Sequence, residues 1–493
     1  MITIEKINNV HLRIYSDPSI TQELSEFFTF QVEGYKFTPA YRSGQWDGKI
    51  RMYDMHRKTL YVGLLKYVIG FAERNEYEIK YINEVLPANT ITREEIVEYA
   101  KWLNPCSRGA PIEIYDYQVD AVHKALTDER ALLLSPTASG KSFIIYTTMR
   151  WHLENKRKCI VIVPTTSLVE QLYADFADYS SVNGWKTDRH CQKLYSGFTK
   201  DVQSDVLITT WQSIYKQPAA WFNQFDVIFG DEAHNFKAKS LTSVMDKMAN
   251  VQYRVGTTGT LDDKKVHKLV LEGIFGPVHR VISTRELMDS NRVANLKITC
   301  IVLKYDETSR KIMNKAQYPD EINFIIGHEK RNRFIRNLAL NCEGNTLVLF
   351  QMVAKHGKIL HEMIAAKAGD KRKVFFIYGG TDTDAREEAR KLMENETDAI
   401  CIASFGVFST GINIPSIENV IFASPSKSKI RNLQSIGRGL RLKEGKTHCN
   451  LYDISDDLHW KSYKNHTLGH LAERLKTYSE EKFVYKIVEV PVE

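Results

Sequence analysis

Short apolar runs that end in polar clusters recur along the chain from about residue 111. They lie at residues 131–134, 159–163, 205–208, 225–229 and 253–255, with helical patterns between them. Strands that alternate with helices in this way predict an α/β region built on a parallel sheet. Each polar cluster directly follows a strand, which is where ligands bind in doubly wound sheets.

A second region with the same alternation begins near residue 295. Its predicted strands are 345–350, 374–377, 399–403, 420–423 and 449–452. Its predicted helices are 354–366, 382–393 and 466–478. The pattern therefore predicts two doubly wound parallel sheets in one chain.

Residues 1 to about 85 show a different pattern, typical of a small α+β unit. Strand-like alternation occurs at 10–15, 49–53, 59–62 and 77–82, and helical spacing at 19–28 and 64–74. We therefore expect four parts: a small α+β domain (1–90), a first lobe (91–290), a second lobe (291–452) and a C-terminal helical extension (453–493).

The stretch 36–58 of the first domain combines positive charge with aromatic residues. Six lysines and arginines face two aspartates, a net charge of +4, and aromatic residues are interleaved with them. Cations beside rings that can stack suit a nucleic-acid surface. The candidate contacts are Arg42, Trp46, Lys49 and Arg51. A solvated hairpin whose aromatic rings pack inward explains the same pattern.

The composition and charge of the chain limit the classes of protein to which it can belong. The chain of 493 residues is 43% hydrophobic with a net charge of +7, which is compatible with nucleic-acid binding but does not demand it. No apolar run approaches the ~18 residues of a membrane span, and the N-terminus lacks a secretory pattern. We expect a cytoplasmic protein that does not act at a membrane. The seven cysteines form no Cys-x-x-Cys pair, which argues against a zinc site or a disulfide framework.

The stretch from Ser135 to Ser142, Ser-Pro-Thr-Ala-Ser-Gly-Lys-Ser, joins a predicted strand to a predicted helix. A turn ending in Gly-Lys-Ser in that context is typical of a phosphate-binding P-loop. Lys141 would contact the terminal phosphates, and the Ser142 hydroxyl would ligate Mg²⁺. The remaining turn residues expected to bind the nucleotide are Pro136, Thr137, Ala138, Ser139 and Gly140. Ser135 and Ala138 stand where glycine is common.

Two acidic residues, Asp231 and Glu232, follow the predicted strand at 225–229. A carboxylate at a strand end can hold Mg²⁺, and its neighbour can polarise an attacking water. Acidic pairs are also common on solvated faces. The position of this pair, after a buried strand and beyond a P-loop, is what favours a catalytic role. His234 follows closely and could link the nucleotide site to its neighbours.

Gln434, Arg438 and Arg441 form a Gln-x-x-Gly-Arg-x-x-Arg pattern on a predicted helix. Arginines three residues apart lie on one helix face. A guanidinium can stabilise the charge that develops on a transferring phosphoryl group. A basic solvated helix is the alternative, but Gly437 and Gly439 would weaken such a helix unless something packed closely against it.

These motifs, taken in order, resemble those of superfamily 2 helicases of the DEAH type. They are the P-loop, Pro-Thr-Thr-Ser-Leu-Val-Glu-Gln, Thr-Thr-Trp-Gln-Ser, Asp-Glu-Ala-His, Thr-Gly-Thr, Ser-Thr-Gly-Ile-Asn-Ile-Pro and Gln-x-x-Gly-Arg-x-x-Arg, between about 115 and 441. Within that superfamily the whole chain, N-terminal domain included, closely resembles the UvsW helicases of T-even phages. The resemblance implies two RecA-like lobes and an ATP-dependent DNA helicase that acts on branched DNA in replication, recombination and repair.

The resemblance also implies residue roles. Gln118 would read the adenine, Asp231 would hold Mg²⁺ and Glu232 would be the catalytic base. Asn413 would belong to the nucleotide site. Three further groups are implied: the coupling residues His234, Thr258 and Thr260; the nucleic-acid contacts Thr165, Thr210 and Thr410; and the catalytic set Lys141, Gln434, Arg438 and Arg441, with Arg441 as the arginine finger.

The expected cofactors are ATP and Mg²⁺, and the expected partner is DNA. The DNA would be branched, single-stranded or duplex, and the partners would extend to RNA–DNA hybrids. The motor would work as a monomer whose two lobes alternate between two arrangements, and the nucleotide would bind these arrangements with different affinities. Two alternatives stay open: another superfamily 2 motor, either an RNA helicase or a restriction translocase subunit, and an ATP-independent protein that anneals or binds strands.

Overall fold

The computed structural model describes residues 1–32, 34–85, 90–195, 201–262, 264–381, 383–410, 414, 416–426, 428–442 and 446–492. Within these ranges the side chains of 383, 384, 386, 387 and 408–410 are outside the description. The chain divides into two compact units. Unit 1 is Met1–Ser135 with Gly140–Val281, and unit 2 is Pro136–Ser139 with Ile282–Glu493.

Unit 1 opens with a small α+β domain, as the sequence predicts. Its elements are β1 (Ile2–Lys6), β2 (His11–Ser16), α1 (Pro18–Phe27), β3 (Thr29–Gln31), a 3₁₀ turn (Tyr35–Phe37), α2 (Pro39–Arg42), β4 (Lys49–Arg51), β5 (Thr59–Tyr61), a second 3₁₀ turn (Val62–Leu64), α3 (Leu65–Arg74) and β6 (Ile79–Tyr81). One sheet has the order β5-β2-β1-β6, and β3 pairs with β4 in a separate hairpin. Ile4 and Ile14 are fully buried on the sheet, and Leu24 and Val68 of the helices share their core.

A short connector leads into the first large sheet. It contains α4 (Arg93–Leu103), β7 (Cys106–Ser107) and β8 (Ala110–Pro111). A capping box starts α4, because the Glu95 N–H donates to Thr92 Oγ1 while the Thr92 N–H donates to Glu95 Oε2. These two bonds satisfy donors that the first helical turn leaves without partners, and so fix where the helix begins.

The rest of unit 1 is a parallel α/β layer. Its elements are α5 (Asp116–Thr127), β9 (Arg130–Leu134), α6 (Lys141–Glu154), β10 (Cys159–Val163), α7 (Thr166–Tyr179), α8 (Thr187–His190), β11 (Cys191–Leu194), β12 (Val206–Thr210), α9 (Trp211–Ile214), α10 (Ala219–Phe222), β13 (Val227–Asp231), a 3₁₀ helix (Ala233–Lys237), α11 (Lys239–Asp246), β14 (Tyr253–Thr258), α12 (Lys265–Phe275) and β15 (Val278–Arg280). The sheet order is β11-β12-β10-β13-β14-β9-β15, with parallel pairing throughout the described registers. Every residue of β10 is buried, as expected for a parallel strand covered on both faces.

Unit 2 repeats this architecture. Its elements are α13 (Thr284–Asp289), β16 (Asn295–Lys304), α14 (Glu307–Ile312), α15 (Tyr318–Gly327), α16 (Glu329–Asn341), β17 (Thr346–Phe350), a π-helical turn (Val353–Gly357), α17 (Lys358–Ala368), a 3₁₀ turn (Gly369–Lys371), β18 (Val374–Ile377), α18 (Thr383–Asn395), β19 (Ile400–Ser404), α19 (Phe405–Thr410), β20 (Asn419–Phe422), α20 (Lys429–Gly439), β21 (His448–Asp457), α21 (His466–Glu480) and β22 (Tyr485–Pro491). The order is β18-β19-β17-β20-β21-β16-β22, again with parallel pairing in the described registers. The predicted fold class, two doubly wound sheets with a small α+β domain, is confirmed.

The C-terminal segment differs from the helical extension that the sequence suggested for 453–493. Strand β21 continues to Asp457, and β22 pairs with β16 as a further strand of the second sheet. Helix α21 is anchored to that sheet, because the buried Arg474 donates to Asp453 Oδ2 at 2.8 Å. The segment is therefore part of the body of unit 2. Four of the seven residues of β22 in succession are exposed, so its strand pattern in the sequence is weak.

The N-terminal domain packs against α12 of the parallel layer within unit 1. Glu272 of α12 is fully buried, and its carboxylate accepts from Tyr67 Oη at 2.5 Å and from Lys66 Nζ at 3.2 Å. Tyr61 Oη donates to Asp246 Oδ1 of α11 at 3.0 Å. The domain is thus fixed to the layer by buried polar contacts as well as by apolar ones.

All seven cysteines are buried free thiols. Across the part of the chain that the structure describes, no helix combines the length and the apolar character needed to cross a bilayer.

Candidate functional site

Three neighbouring strands of unit 1 end at the same edge of the sheet. Strands β13, β14 and β9 are adjacent and parallel, so Asp231, Thr258 and Ser135 come together there. The Ser135 N–H donates to the Thr258 carbonyl at 2.8 Å, which joins the start of the P-loop to the end of β14. The predicted phosphate, carboxylate and coupling motifs therefore meet at one edge, as the order of motifs predicted.

The predicted P-loop turn lies between β9 and α6 and includes Pro136 and Thr137. Gly140 caps α6 with a left-handed φ of 83°, and Ala138 also has a positive φ, 68°. Lys141 Nζ reaches back across the turn and donates to the Ser135 carbonyl at 3.2 Å. Ser139 Oγ donates to the Pro136 carbonyl at 2.6 Å. The turn is a closed loop in front of a helix N-terminus, the geometry that binds phosphate.

Gln118, the predicted adenine contact, lies beside this turn. It is buried, and its Oε1 accepts from the Tyr115 N–H at 3.0 Å. Its Nε2 lies so close to Gly140 that a Cβ added at that glycine would meet it at 2.3 Å. Gln118 therefore lies against the last residue of the predicted P-loop turn, Gly140.

The predicted Mg²⁺ ligands are Ser142 and Asp231. Ser142 Oγ is 2.9 Å from Tyr179 Oη, and Asp231 Oδ1 accepts from Thr257 Oγ1 at 2.7 Å. Burial raises the pKa of Asp231, the Glu232 charge raises it further, and Lys141 opposes both. A buried carboxylate in this condition is stabilised by an added cation. Within the described residues no cluster of three or more His, Cys, Asp or Glu could hold a metal ion. One carboxylate and one hydroxyl fit Mg²⁺, which takes most of its ligands from water and phosphates.

A chain of contacts runs from Glu232 through His234 and Thr258 to Thr260. His234 Nδ1 lies 3.4 Å from Glu232 Oε2 and 3.0 Å from Thr258 Oγ1. The Thr258 hydroxyl donates to the Thr260 carbonyl at 3.0 Å, so its oxygen accepts from Nδ1–H of His234. Burial lowers the pKa of His234 to about 4, which keeps the imidazole neutral with its proton on Nδ1. The three residues predicted to couple sites are therefore in direct contact.

Of the predicted nucleic-acid contacts, Thr165 follows β10, and Thr210 is the last residue of the neighbouring strand β12. Thr165 caps α7, accepting from the Leu168 N–H at 3.4 Å, and is half-buried. Thr210 is buried, and its hydroxyl is 3.0 Å from Ser213 Oγ. The side chain of Thr410 and all of Asn413 lie outside the described residues.

Gln434, Arg438 and Arg441 belong to unit 2. Helix α20 carries the first two, and Arg441 follows its C-terminal end. A Cβ at Gly439 would meet Cys449 Sγ of β21 at 2.9 Å, so this glycine lets the helix pack closely on the sheet. The close approach inferred from the sequence is present at that position.

The basic stretch of the N-terminal domain is only partly as predicted. Arg42 and Lys49 are exposed, whereas Arg51 forms an ion pair with Asp47, with Nη2 2.5 Å from Oδ2. Trp46 is half-buried, and its Nε1 donates to the Lys49 carbonyl at 2.8 Å. This hydrogen bond from Trp46 therefore helps to fix the backbone at Lys49.

The aromatic rings of this stretch divide between core and surface. Tyr53 is 2% exposed and belongs to the domain core, so for that ring the inward-packing alternative is correct. The rings of Tyr35 and Tyr41 pack edge to face at 4.6 Å. Phe37, which sequence reasoning passed over, is 77% exposed and is the most accessible ring in the stretch.

Sequence reasoning also missed two partners in the nucleotide site, Thr257 and Tyr179. Thr257 lies opposite Asp231 in the parallel register, a relation that follows only from the strand order. Tyr179 is the last residue of α7 and reaches Ser142 from 37 positions away. No local pattern signals either contact.

Three family models match the chain. "DNA helicase UvsW, N-terminal" matches residues 2–82, "Type III restriction enzyme, res subunit" matches 111–263, and "Helicase conserved C-terminal domain" matches 329–443. Together they cover the small domain, strands β9 to β14 of the first large sheet and strands β17 to β20 of the second.

The chain is also similar to characterised proteins. It is 35% identical to the ATP-dependent DNA helicase uvsW of Enterobacteria phage T4, over 96% of each chain. It is 24% identical to the DNA 3'-5' translocase XPB2 of Sulfurisphaera tokodaii, over 68% of this chain and 80% of that protein. The crystal structure of T4 UvsW aligns over 100% of both chains with a TM-score of 0.53 and 32% identity.

Proposed function

The chain belongs to the UvsW family of superfamily 2 helicases, and we propose that it is an ATP-dependent DNA helicase that remodels branched DNA. The observation that carries this proposal is the convergence of the P-loop, the Asp231–Glu232 pair and the His234–Thr258–Thr260 chain at one edge of the first sheet. The Asp231-Glu-Ala-His234 sequence supports assignment to the DEAH group.

The residues of this edge can perform ATP hydrolysis. Backbone N–H groups of the turn and the charge of Lys141 would hold the phosphates, and Gln118 would fix the adenine. Glu232 would orient a water for in-line attack on the γ-phosphorus and accept its proton as the P–O bond to ADP breaks. Mg²⁺, held by Ser142 and Asp231, would neutralise phosphate charge.

The contacts from Glu232 through His234 to Thr258 support a role in coupling the nucleotide site to the loop after β14. His234 touches both the carboxylate of Glu232 and the hydroxyl of Thr258. A change in charge beside Glu232 on hydrolysis would alter the hydrogen bonds of His234 and hence the position of Thr258 and Thr260. We propose this as the route by which phosphate release reaches the loop after β14.

The remaining roles are proposed from the family motifs. Gln434, Arg438 and Arg441 would act on the nucleotide, with Arg441 as the finger that stabilises transition-state charge. Thr165, Thr210 and Thr410 would contact the DNA backbone, and Asn413 would belong to the nucleotide site. We further propose a monomeric motor that works in the cytoplasm, with forks, four-way junctions and R-loops among its substrates.

Two substitutions test the nucleotide site. Lys141→Ala and Glu232→Gln should each abolish ATP hydrolysis while the protein still folds and binds DNA, because they remove phosphate binding and water activation respectively. Glu154→Gln, an exposed carboxylate at the end of α6, is the matched control and should keep wild-type turnover. Near-wild-type hydrolysis in Glu232→Gln would refute the assignment of the base.

A panel of nucleic acids tests the substrate. ATPase and unwinding would be measured with forks, four-way junctions, R-loops, duplex, single-stranded DNA and single-stranded RNA. We expect DNA to stimulate hydrolysis and branched DNA to be unwound. Stimulation by RNA alone would favour an RNA helicase, and annealing that persists without ATP would favour a strand-annealing protein.

A further inference from the structure

An open cavity of about 450 Å³ in unit 2 lies outside every role assigned above. Its lining includes Gln351, Ser426, Arg431, Tyr318, His466 and His470. Gln351 directly follows β17, and Ser426 lies in the loop after β20. The cavity is therefore at the carboxyl edge of the second sheet.

The strand order makes this edge a topological switch point. Strands β17 and β20 are neighbours in the order β18-β19-β17-β20-β21. After β17 the chain passes through α17 to β18 on one side, whereas after β20 it passes through α20 to β21 on the other. The two loops diverge and leave a crevice, which is where open α/β sheets bind ligands.

The chemistry of the lining indicates what the crevice can bind. Tyr318 starts α15, and its ring lies 6.0 Å from the ring of His466 and 5.4 Å from that of His470, both on α21. The two histidines are four residues apart and so share one helix face. Tyr318 is 37% exposed, so its ring remains accessible to a ligand. Arg431 adds a cation, and Ser426 and Gln351 add neutral hydrogen-bonding groups.

Among the described residues no carboxylate lines this cavity. Glu321, on the same helix as Tyr318, is fully buried and its carboxylate accepts from the Thr467 N–H at 2.8 Å and the His466 N–H at 2.9 Å. The site is thus aromatic and cationic, a combination that suits a stacked base beside its phosphate.

We propose that this switch-point cavity binds an unstacked base of a single DNA strand. The base stacks on the Tyr318 ring and meets the rings of His466 and His470 at an angle, and Arg431 and Ser426 contact the adjoining phosphate. This inference rests on the proposed helicase function and adds to it a contact from α15 and α21, elements outside all the helicase motifs. It also gives the C-terminal segment a part in DNA binding.

The test compares two oligomers of equal length and charge, oligo(dT) and its abasic counterpart, by fluorescence anisotropy with the full-length protein. Tyr318→Leu and His470→Leu should each weaken binding of oligo(dT) by about tenfold, a typical effect of removing one stacked base. Binding of the abasic oligomer should change less than twofold. Tyr318→Phe, which keeps a ring, should restore binding of oligo(dT).

His448→Leu is the matched control, because His448 is exposed at the amino end of β21, on the opposite edge of the same sheet. It should leave both affinities unchanged. Unchanged oligo(dT) binding in Tyr318→Leu and His470→Leu, or an equal loss on both oligomers, would overturn the stacking proposal. Failure of the wild-type protein to bind either oligomer would instead refute the proposed function itself.

Discussion

Two residues of the turn between β9 and α6, Ala138 and Gly140, both have a positive φ but differ in how they would tolerate a side chain. Ala138 has a φ of 68°, a left-handed conformation that costs an alanine about 1–2 kcal/mol. Gly140 has a φ of 83°, and a Cβ there would meet Gln118 Nε2 at 2.3 Å. Alanine at position 138 is therefore accommodated with strain, whereas a Cβ at position 140 would have to displace the side-chain amide of Gln118.

We predict that Ala138→Gly keeps ATPase activity and raises the free energy of unfolding by up to about 1 kcal/mol, since relief of strain exceeds the added entropy of the unfolded chain. Gly140→Ala should displace Gln118 and raise KM for ATP at least tenfold. Thermal unfolding and steady-state kinetics of the pair measure both effects. Equal KM values in the two variants would show that Gln118 does not depend on the turn.

His234 gives unit 1 a pH-dependent contribution to stability. Burial lowers its pKa from 6.5 to about 4. A group whose pKa falls on folding stabilises the native state above its unfolded pKa and loses that contribution as pH drops toward the folded value. The contribution of His234 is therefore complete above about pH 6.5 and disappears near pH 4, and its upper limit is about 3 kcal/mol.

We predict that the difference in thermal midpoint between the wild-type protein and His234→Gln shrinks as pH falls from 7 to 4.5. Asp231 titrates in both proteins, so to first order its effect cancels in the difference. His190→Gln is the control, because His190 is only half-buried and lies beside Asp205. A constant difference for His234→Gln across this range would mean that folding does not shift the pKa of this imidazole.

Individual side chains show which positions the sequence could predict. The positions of Lys141, Asp231 and Glu232 at the ends of strands and the start of a helix could be predicted, because each belongs to a motif whose spacing follows from strand, turn and helix. Thr257 and Tyr179 could not, because they reach the site through sheet register and helix packing. Tyr53 and Phe37 look alike in the sequence, and only the fold separates a core ring from an exposed one.

At the scale of elements, the docking of the N-terminal domain depends on close contact between backbones. Gly63 lies so near α12 that an added Cβ would meet the Glu272 carbonyl at 1.9 Å. We predict that Gly63→Ala lowers the free energy of unfolding by about 1–3 kcal/mol, because neither backbone can move aside cheaply. Thermal unfolding and limited proteolysis that releases the N-terminal domain would measure the change.

Gly70→Ala is the matched control within the same domain. Gly70 is inside α3 with nothing within 4 Å of an added Cβ, so alanine should stabilise the helix by about 0.5–1 kcal/mol. If both variants changed stability in the same direction, the effect of Gly63→Ala would reflect α3 and its neighbours generally, not the contact with Glu272.

Strands with continuous apolar sequence were predictable, and strands with mostly polar sequence were not. The strands 159–163 and 374–377 agree with the structure at both ends, although the first is fully buried and the second, β18, lies at a sheet edge. Strands β15 and β22 lie at sheet edges with mostly polar or exposed residues, and their patterns carry little signal. Helix α21 was recognised from its periodicity, but its place on the second sheet depends on the buried Arg474–Asp453 pair.

At the scale of the whole molecule, the order of motifs along the chain identified the family. In this fold each motif follows a particular strand of a sheet, so the order of the motifs reflects the order of the strands. The sequence also indicated an additional N-terminal domain with a basic stretch at 36–58, but not how this domain is held. The structure shows that this domain is fixed to α12 through Glu272 and to α11 through Asp246. Its basic surface therefore moves with unit 1 and does not swing freely on a linker.

This arrangement leads to a prediction about branched DNA. A basic surface held on unit 1 can grip a duplex arm while the helicase motifs hold a single strand. We predict that Arg42→Ala with Lys49→Ala weakens binding to forks more than to single strands. The log–log salt dependence on forks should flatten by about two units, close to one for each phosphate that the protein no longer neutralises. Arg51→Ala should have a smaller effect, because Asp47 already pairs with Arg51.

Anisotropy titrations at several salt concentrations, with a fork and a single strand of equal length, measure the effect of the double substitution. Lys80→Ala is the control for net charge, because Lys80 is exposed on β6, at the far edge of the domain's sheet from β5. Its salt dependence should match that of the wild-type protein. ATP hydrolysis without DNA should survive in all the variants, since none of these residues lies in a nucleotide motif. Equal weakening on forks and single strands would contradict a branch-specific role for the surface, because a contact made only by the duplex arm cannot affect a substrate that lacks one.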